Sequence, residues 1–430
     1  MFRRKRWLFV TVVFSIALIG IVAGRWAVKT VNAQNGYEEL RTFTEVLTLI
    51  KKNYVDEVKT KDLVVGAIKG MINSLDPHSS YMTPEALKEL QVETKGEFGG
   101  LGIHIGIKDG MLTVIAPIED TPAFKAGIKA GDKILKISGE STKNMGLTDA
   151  VSKMRGPKGT SVILTIFREG WKETKDFTIV RDIIKIKSVK SRMLQDGIGY
   201  IKITQFQEST GPDLSAALEK LSKEGMTSLI IDLRNDPGGL LNSAVEVTEQ
   251  FLPPKKLVVY TKSKNGEKTE YFTDGEKPYT DIPMVVLVNQ GSASASEIVA
   301  GALKDWNRAV IIGVQTFGKG SVQSLIPLSD GSGLRLTTAK YYTPKGTSIH
   351  GVGITPDIVV KLDVKDGKEQ HRVAREKDLE GHLKNEQQKE GPEEKEMAPL
   401  EVDEKDDNQL QRAIDTIKTW RVFEKMKKAA

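Results

Sequence analysis

The chain has 430 residues, of which 39% are hydrophobic and 28% charged, enough for two or three folded domains carrying charged appendages. It contains no cysteine, which excludes disulfides, thiol catalysis and thiolate metal sites. The net charge of +6 resides entirely in the first 33 residues, which hold six basic and no acidic side chains. The remaining 57 charges of each sign balance, and this argues against general nucleic-acid binding.

Residues 1–34 read as a signal peptide or an N-terminal membrane anchor. A basic cluster, Arg3 to Arg6, precedes an apolar run from Trp7 to Gly24 that is long for a signal core and just long enough for a marginal span. Val31-Asn32-Ala33 offers a cleavage site, though Arg25, Trp26 and Lys29 make a poor approach to it. The positive-inside rule puts everything that follows outside the cytoplasm. The expected location is the periplasmic side of the cytoplasmic membrane, anchored or released, or the exterior if there is no outer membrane. Residues 35–95 read as helical. Leu40, Phe43, Val46, Leu47, Ile50 and Tyr54 share one face from Tyr37 to Asp56, and a second helix starts near the cap Thr60. Thr83-Pro84-Glu85 has a cap, a proline at the first helical position and an acidic first turn. His78 lies in the turn between these helices, where a structural role is expected.

Residues 96–183 change to short strands with one helix over Leu147 to Met154. Gly99-Gly100-Leu101-Gly102-Ile103 resembles the carboxylate-binding loop of a PDZ domain, and Ala126 to Leu135 resembles a second PDZ segment. Glycines there expose backbone N–H groups to a terminal carboxylate, and Ile103 begins a strand edge on which a peptide tail can pair. Gly100, Leu101, Gly102 and Ile103 are the candidate tail-binding loop, with Leu101, Val151 and Met154 as pocket walls. Arg155 follows the groove helix, where tail occupancy would move it, which makes it a candidate for gating.

Residues 184–362 alternate strands and helices, an α/β pattern. Expected strands are Ile198 to Ile203, Ser228 to Leu233, Leu257 to Thr261, Met284 to Val288, Ala309 to Ile312 and Leu334 to Tyr342. Expected helices are Asp213 to Lys223, Leu241 to Phe251 and one starting at Ser294. After the strand at Met284 the chain turns through Asn289 and Gly291 into Ser292, Ala293 and Ser294. A serine there holds its hydroxyl in the open beside the free N–H groups of a first helical turn. Lys319, between Gly318 and Gly320, is placed to reach it. Phe317, Val322 and Ile326 are positioned to dehydrate its ammonium, and Gln323 to hold the amine. Gly313 to Lys319 fits seven positions of a P-loop, but Gly320 stands where Ser or Thr should hold Mg²⁺, so nucleotide binding is disfavoured. Small residues for tight packing remain the bland alternative, and His350 is a fallback base without an acidic partner in its own segment. Residues 363–430 read as a charged linker, notably Glu376 to Glu396, and an amphipathic final helix with Leu410, Ile414, Ile417, Trp420 and Phe423 on one face.

The segments G-S-A-S-A-S-E-I and T-F-G-K-G-S-V-Q resemble the active site of the carboxy-terminal processing (tail-specific) proteases, serine endopeptidases with a Ser/Lys dyad and an attached PDZ domain. Lys319 follows Ser294 by 25 positions, the separation of that family's catalytic pair, which Ser292 and Ser296 do not match. The resemblance extends from about Tyr37 to Val360. It implies an α/β protease core of crotonase-like alternating units, an inserted PDZ domain forming a partly open β-barrel, and helical N- and C-terminal segments. It also implies Ser294 as nucleophile, Lys319 as general base, Gln323 as orienter, and an oxyanion hole from Gly239 (with Gly238 as its alternative) and the Ala295 amide. No metal or organic cofactor is implied. The expected partners are protein substrates with free apolar or unfolded C-termini, an adaptor that delivers them, a second copy of the chain, and the inner membrane. A non-catalytic PDZ scaffold or chaperone and an acyl-CoA enzyme are the rival readings. Intact Ser294, Lys319 and Gln323 oppose the first, and the PDZ domain and export signal oppose the second.

Overall fold

The computed structural model describes residues 37–275, 279–363, 371–372, 375–385, 387, 397–398 and 406–429. Residues 1–34, and with them the expected signal or anchor, lie outside this set. The chain divides into two units, Met1–Ser74 and Leu75–Ala430. In the first, α1 spans 37–53 and α2 spans Thr60–Asn73. Thr42, Thr44 and Thr48 turn their hydroxyls back onto carbonyls four residues earlier, which satisfies them within α1. Thr60 is the first helical residue of α2 rather than its cap, a position taken by Lys59. Among the described residues no helix is long and apolar enough to cross a membrane.

The second unit opens with β1 (Ser80–Met82) and α3 (Pro84–Lys95), whose cap Thr83 accepts from the Ala86 N–H at 3.3 Å. Then come β2 (Glu97–Gly100), β3 (Ile103–Lys108), β4 (Met111–Pro117), α4 (Pro122–Lys125), β5 (Lys133–Ile137), β6 (Glu140–Ser141) and α5 (Leu147–Met154). They are followed by β7 (Ser161–Phe167), β8 (Lys175–Val180) and β9 (Asp182–Lys185). Strands run in the order β3-β4-β5-β7-β8, with β6 on β5. They close over Leu112, Val114, Ile134, Leu164 and Ile166, and α5 adds Ala150 and Met154 to that core. β2 and β9 pair antiparallel from Glu97↔Lys185 to Gly100↔Asp182, so one short ribbon joins this small domain to the chain on both sides.

The larger core contains β10 (Val189–Met193), β11 (Ile198–Ile203), α6 (Thr210–Lys223), β12 (Ser228–Asp232), α7 (Leu241–Glu249), β13 (Leu257–Ser263) and β14 (Lys268–Phe272). It continues through β15 (Met284–Val288), α8 (Ala295–Asp305), β16 (Val310–Gly313), β17 (Ser321–Pro327), β18 (Gly333–Tyr342) and β19 (Ile358–Val359), and α9 (Asn408–Ala429) ends the described chain. One sheet runs β10-β11-β12-β15-β16-β19, parallel except for its first strand. Strands covered on both faces read as unbroken apolar runs, and β12 and β15 are buried throughout. Their side chains alternate between two cores. Val286 and Val288 join the helical side with Leu214, Val247 and Val299. Val285 and Leu287 meet Leu410, Ala413 and Ile417 of α9 on the other. A second sheet runs β1-β18-β13-β14, with β17 also paired to β18.

Two expectations for the tail need correction. Glu376 is not a solvated linker residue but 0% exposed, and residues 375–385 pack on the core (bonds described below). The apolar face of α9 is buried only over its first half, since Phe423 is 64% exposed, as are Val422 and Met426 to similar extents. Ile326, expected to help dehydrate Lys319, is itself 40% exposed and so offers a poorly dehydrated surface.

Candidate active site

The buried strand β15 ends in a turn fixed by side-chain amides. Asn289 Oδ1 accepts from the N–H groups of Asn235 at 2.8 Å and Gly291 at 3.0 Å, while its Nδ2 donates to Asn235 Oδ1 at 2.8 Å. The three serines that follow are then distinguishable. Ser292 Oγ donates to the Leu233 carbonyl at 2.7 Å and accepts from Asn289 N–H at 3.0 Å, and Ser296 Oγ donates to the Asp236 carbonyl at 3.0 Å. Both are wholly buried, whereas Ser294 is 9% exposed. Ser294 sits at φ 53° and ψ −111°, a conformation that a residue with a side chain adopts at a cost of about 1–3 kcal/mol.

Glu297 holds that strained turn. Its fully buried carboxylate accepts from the backbone N–H of Ser294 at 2.8 Å and of Lys319 at 2.9 Å through one oxygen. Its other oxygen accepts from Thr316 Oγ1 at 2.5 Å and Gly318 N–H at 2.7 Å. One carboxylate therefore ties the serine turn to the lysine loop. Burial pushes the Glu297 carboxyl up to about 7, against the pull of those donors. The sequence reading missed Glu297, although a glutamate three residues past a helix-start serine is a capping signal.

Gly238 packs directly against the serine turn, and Gly239 against the Phe206 backbone. A Cβ on Gly238 would lie 2.6 Å from the Ala293 carbonyl oxygen and 2.9 Å from Ser294 Cβ, and one on Gly239 would lie 2.1 Å from the Phe206 oxygen. Their φ angles of 96° and 148° also exclude a side chain. Gly238 N–H is already engaged, donating to Asp236 Oδ1 at 2.8 Å. The N–H groups of Gly239 and Ala295 have no acceptor among the described residues. The base of the glycine loop is an ion cluster. Arg234 donates to Asp232 at 2.9 and 2.7 Å and to Asp407, just before α9, at 2.9 and 2.7 Å. Burial opposes the Asp232 charge, but Arg234 and the Tyr200 hydroxyl hold its carboxyl below the usual range. Asp236 is different: burial pushes it up to about 8, and its Oδ2 has no partner.

Lys319 is half-buried, and burial, with Arg335 second, holds its ammonium below the ordinary lysine value, while Glu376 and Glu297 pull the other way. Its Nζ donates to no described residue, so a Ser294–Lys319 hydrogen bond is not formed in this structure. Gln323 likewise does not hold the amine here: its Nε2 donates to Ser321, to the carbonyl at 3.1 Å and Oγ at 2.9 Å. His350 is buried, with Nε2 on the Leu383 carbonyl at 2.7 Å and Nδ1 unpartnered. His78 is paired through Nε2 with both oxygens of Glu376, at 2.8 and 2.7 Å.

The groove between β3 and α5 has a volume of about 840 Å³ and is lined by Leu101, Gly102, Ile103, Val151, Met154 and Arg155. Gly100 does not line it. Leu101 and Gly102 N–H groups have no acceptor among the described residues. The opposite wall carries Lys185, Lys187 and Lys190, which the sequence reading did not single out. Arg155 is engaged at the foot of the groove. It donates to both oxygens of Glu89 on α3 at 2.6 Å and lies 4.5 Å over the Phe98 ring.

Comparison with known proteins places these features in a lineage. The family model for peptidase family S41 matches residues 197–360, one for a PDZ domain matches 113–168, and one for the activating protease CtpB N-terminal domain matches 24–86. The carboxy-terminal-processing protease of Bartonella bacilliformis is 46% identical over 95% of each chain. The carboxy-terminal processing protease CtpA of Bacillus subtilis is 39% identical over 82% of this chain and 76% of its own. Among solved structures, the photosystem II D1 C-terminal processing protease is 31% identical with a TM-score of 0.44, covering 74% of this chain and 92% of that one. At 46% identity to the Bartonella bacilliformis protease over 95% of its length, the chain belongs to the carboxy-terminal processing proteases of peptidase family S41.

Proposed function

We propose that this peptidase is an exported endopeptidase that engages proteins by a free C-terminal tail and cleaves them with Ser294 and Lys319. A strained serine carries the reading: the Ala295 amide that follows it and the Gly239 amide of the adjoining glycine loop are both unfilled, and one carboxylate ties its backbone to the lysine loop. Ser294 Oγ attacks the peptide carbonyl carbon while Lys319 Nζ, neutral, takes the hydroxyl proton. The negative charge that develops on the carbonyl oxygen is received by the Gly239 and Ala295 N–H groups, each such donor being worth roughly 3 kcal/mol. The C–N bond breaks as Lys319 returns the proton to the leaving amine, and water, activated by the same lysine, hydrolyses the acyl-enzyme. The Gln323 side-chain oxygen, Oε1, accepts from no described donor and is available to orient the amine once substrate is bound.

The PDZ groove supports tail selection, since the Leu101 and Gly102 amides suit a carboxylate and the Val151 and Met154 walls suit an apolar last side chain. The basic cluster and apolar run of residues 1–34 support export. The exposed apolar side chains of α1, Leu40, Phe43 and Val46, and of α9, Val422, Phe423 and Met426, support a dimer in which a second copy covers them. Mass spectrometry of an unfolded protein incubated with wild type, Ser294→Ala and Lys319→Ala tests the chemistry. New internal termini should appear with wild type alone. Cleavage that persists in Ser294→Ala would remove Ser294 as the nucleophile.

A further inference from the structure

The loop that carries Lys319 contains two glycines flanking the lysine and would be soft without its tethers. Most tethers come from the peptidase core. Phe317 N–H donates to the Ser292 carbonyl at 3.1 Å, Gly351 N–H to the Gly318 carbonyl at 2.8 Å, and Tyr341 N–H to the Gly320 carbonyl at 2.7 Å. One tether comes from elsewhere. Glu376 N–H donates to the Phe317 carbonyl at 3.1 Å, from a segment beyond the 197–360 stretch that matches the peptidase family.

That segment, residues 375–385, is a strap pinned at several points. His350 Nε2 meets the Leu383 carbonyl, Asn385 Nδ2 donates to the His350 carbonyl, and Lys340 Nζ donates to the Lys384 carbonyl at 2.8 Å. At its start the strap drives a carboxylate into the interior. Glu376 is 0% exposed, and its side chain meets His78 Nε2, whose own carbonyl accepts from Arg335 Nε at 3.1 Å. A buried carboxylate is retained only when something satisfies it, and here it stands within electrostatic reach of Lys319.

We propose that Glu376, delivered by this strap and held by His78, is a positioning residue of the catalytic centre: it fixes the Lys319 loop and sets the local charge against which the lysine gives up its proton. The inference rests on the reading of Lys319 as the general base. The charged groups that act on Lys319 are Glu376 from the strap, Arg335 from β18 and Glu297 from α8. Those around Glu376 itself are His78 and, through the strap's far end, His350 with Lys340. The strap's bond to the Phe317 carbonyl, two residues before Lys319, keeps the Glu376 carboxylate within electrostatic reach of the ammonium, where it favours the charged, inactive form, so Glu376 raises the pH at which the base works.

The test is the pH profile of kcat and kcat/KM on an internally quenched peptide with a free C-terminus, for full-length wild type, Glu376→Gln, His78→Gln and Lys319→Ala. Glu376→Gln keeps the backbone bond and the volume but removes the charge. Its rising limb should move to lower pH, so that relative to its own plateau it is roughly two- to fivefold faster than wild type on that limb. Weakening of the side chain's pairing with His78 should loosen the strap and lower the plateau kcat with KM unchanged. His78→Gln leaves the carboxylate in place and should leave the limb where it is or move it to higher pH. A merely structural strap would lower melting temperature and activity together without moving the limb, and that outcome overturns the proposal. So does an acid shift in His78→Gln. If Lys319→Ala stays active, the Ser/Lys reading itself fails. If Lys319→Ala is dead while Glu376→Gln follows the wild-type profile, only the role of the strap fails.

Discussion

Glu297→Gln isolates the tie between nucleophile and base. The carboxylate accepts four hydrogen bonds, two at each oxygen, and glutamine keeps only one acceptor oxygen. If that oxygen stays with Thr316 and Gly318, the new NH₂ faces the N–H groups of Ser294 and Lys319. Each buried donor left unpaired costs about 1–3 kcal/mol, so the gross penalty is roughly 2–6 kcal/mol. Relief of the burial cost of the charge offsets part of it, because desolvation already pushes this carboxyl up to about 7. A net of about 3 kcal/mol should appear in one of two places. If the turns stay put, unfolding in urea shows it. If they separate, kcat falls by about 10²-fold, at 1.36 kcal/mol per decade. KM for a short peptide should not change, since no substrate contact is lost. Peptide kinetics and urea unfolding on the same preparation measure both. A variant within threefold of wild-type kcat and with unchanged unfolding free energy would refute the claim that Glu297 holds the site together.

Activity should rise with pH, because Lys319, lowered by burial and by Arg335, must still lose its proton to act; Lys319→Arg should be as inactive as Lys319→Ala, since guanidinium keeps its proton. The folded protein should lose stability as pH rises from about 4 to 8. Asp236 holds a proton in the folded state up to about 8 against an ordinary 3.8, so its favourable contribution is complete below the lower value and drains away through the higher one. Urea unfolding at pH 5 and pH 9 should therefore show a smaller difference in Asp236→Asn than in wild type, and an identical difference would remove Asp236 from the account. One peptide presented as free acid and as C-terminal amide should differ in KM rather than kcat, because an amide supplies less charge to the Leu101 and Gly102 N–H groups. Equal kinetics would detach the PDZ groove from substrate choice.

Local chemistry made much of this protein legible from its residues alone. The run Met284 to Val288 and the stretch Leu229 to Ile231 are apolar without alternation because a parallel strand is covered on both faces. Thr83-Pro84 starts a helix by satisfying its own end, and the serine and lysine segments carry enough local signature to identify the family. Other features depend on partners far away in the chain. Which of three neighbouring serines is free was decided by the carbonyls of Leu233 and Asp236, about 60 residues back, which occupy the hydroxyls of Ser292 and Ser296. Which glycine amide is open was decided by Asp236 turning onto Gly238. Glu376 lies in a stretch whose composition reads as solvated, yet it is buried by a histidine 298 residues earlier. Periodicity and capping report how a segment treats its near neighbours, whereas a buried hydroxyl or carboxylate is defined by the group that meets it once the chain has closed. For that reason the elements and the family came from sequence, and the allocation of donors, acceptors and charges around Ser294 and Lys319 came only from the tertiary structure.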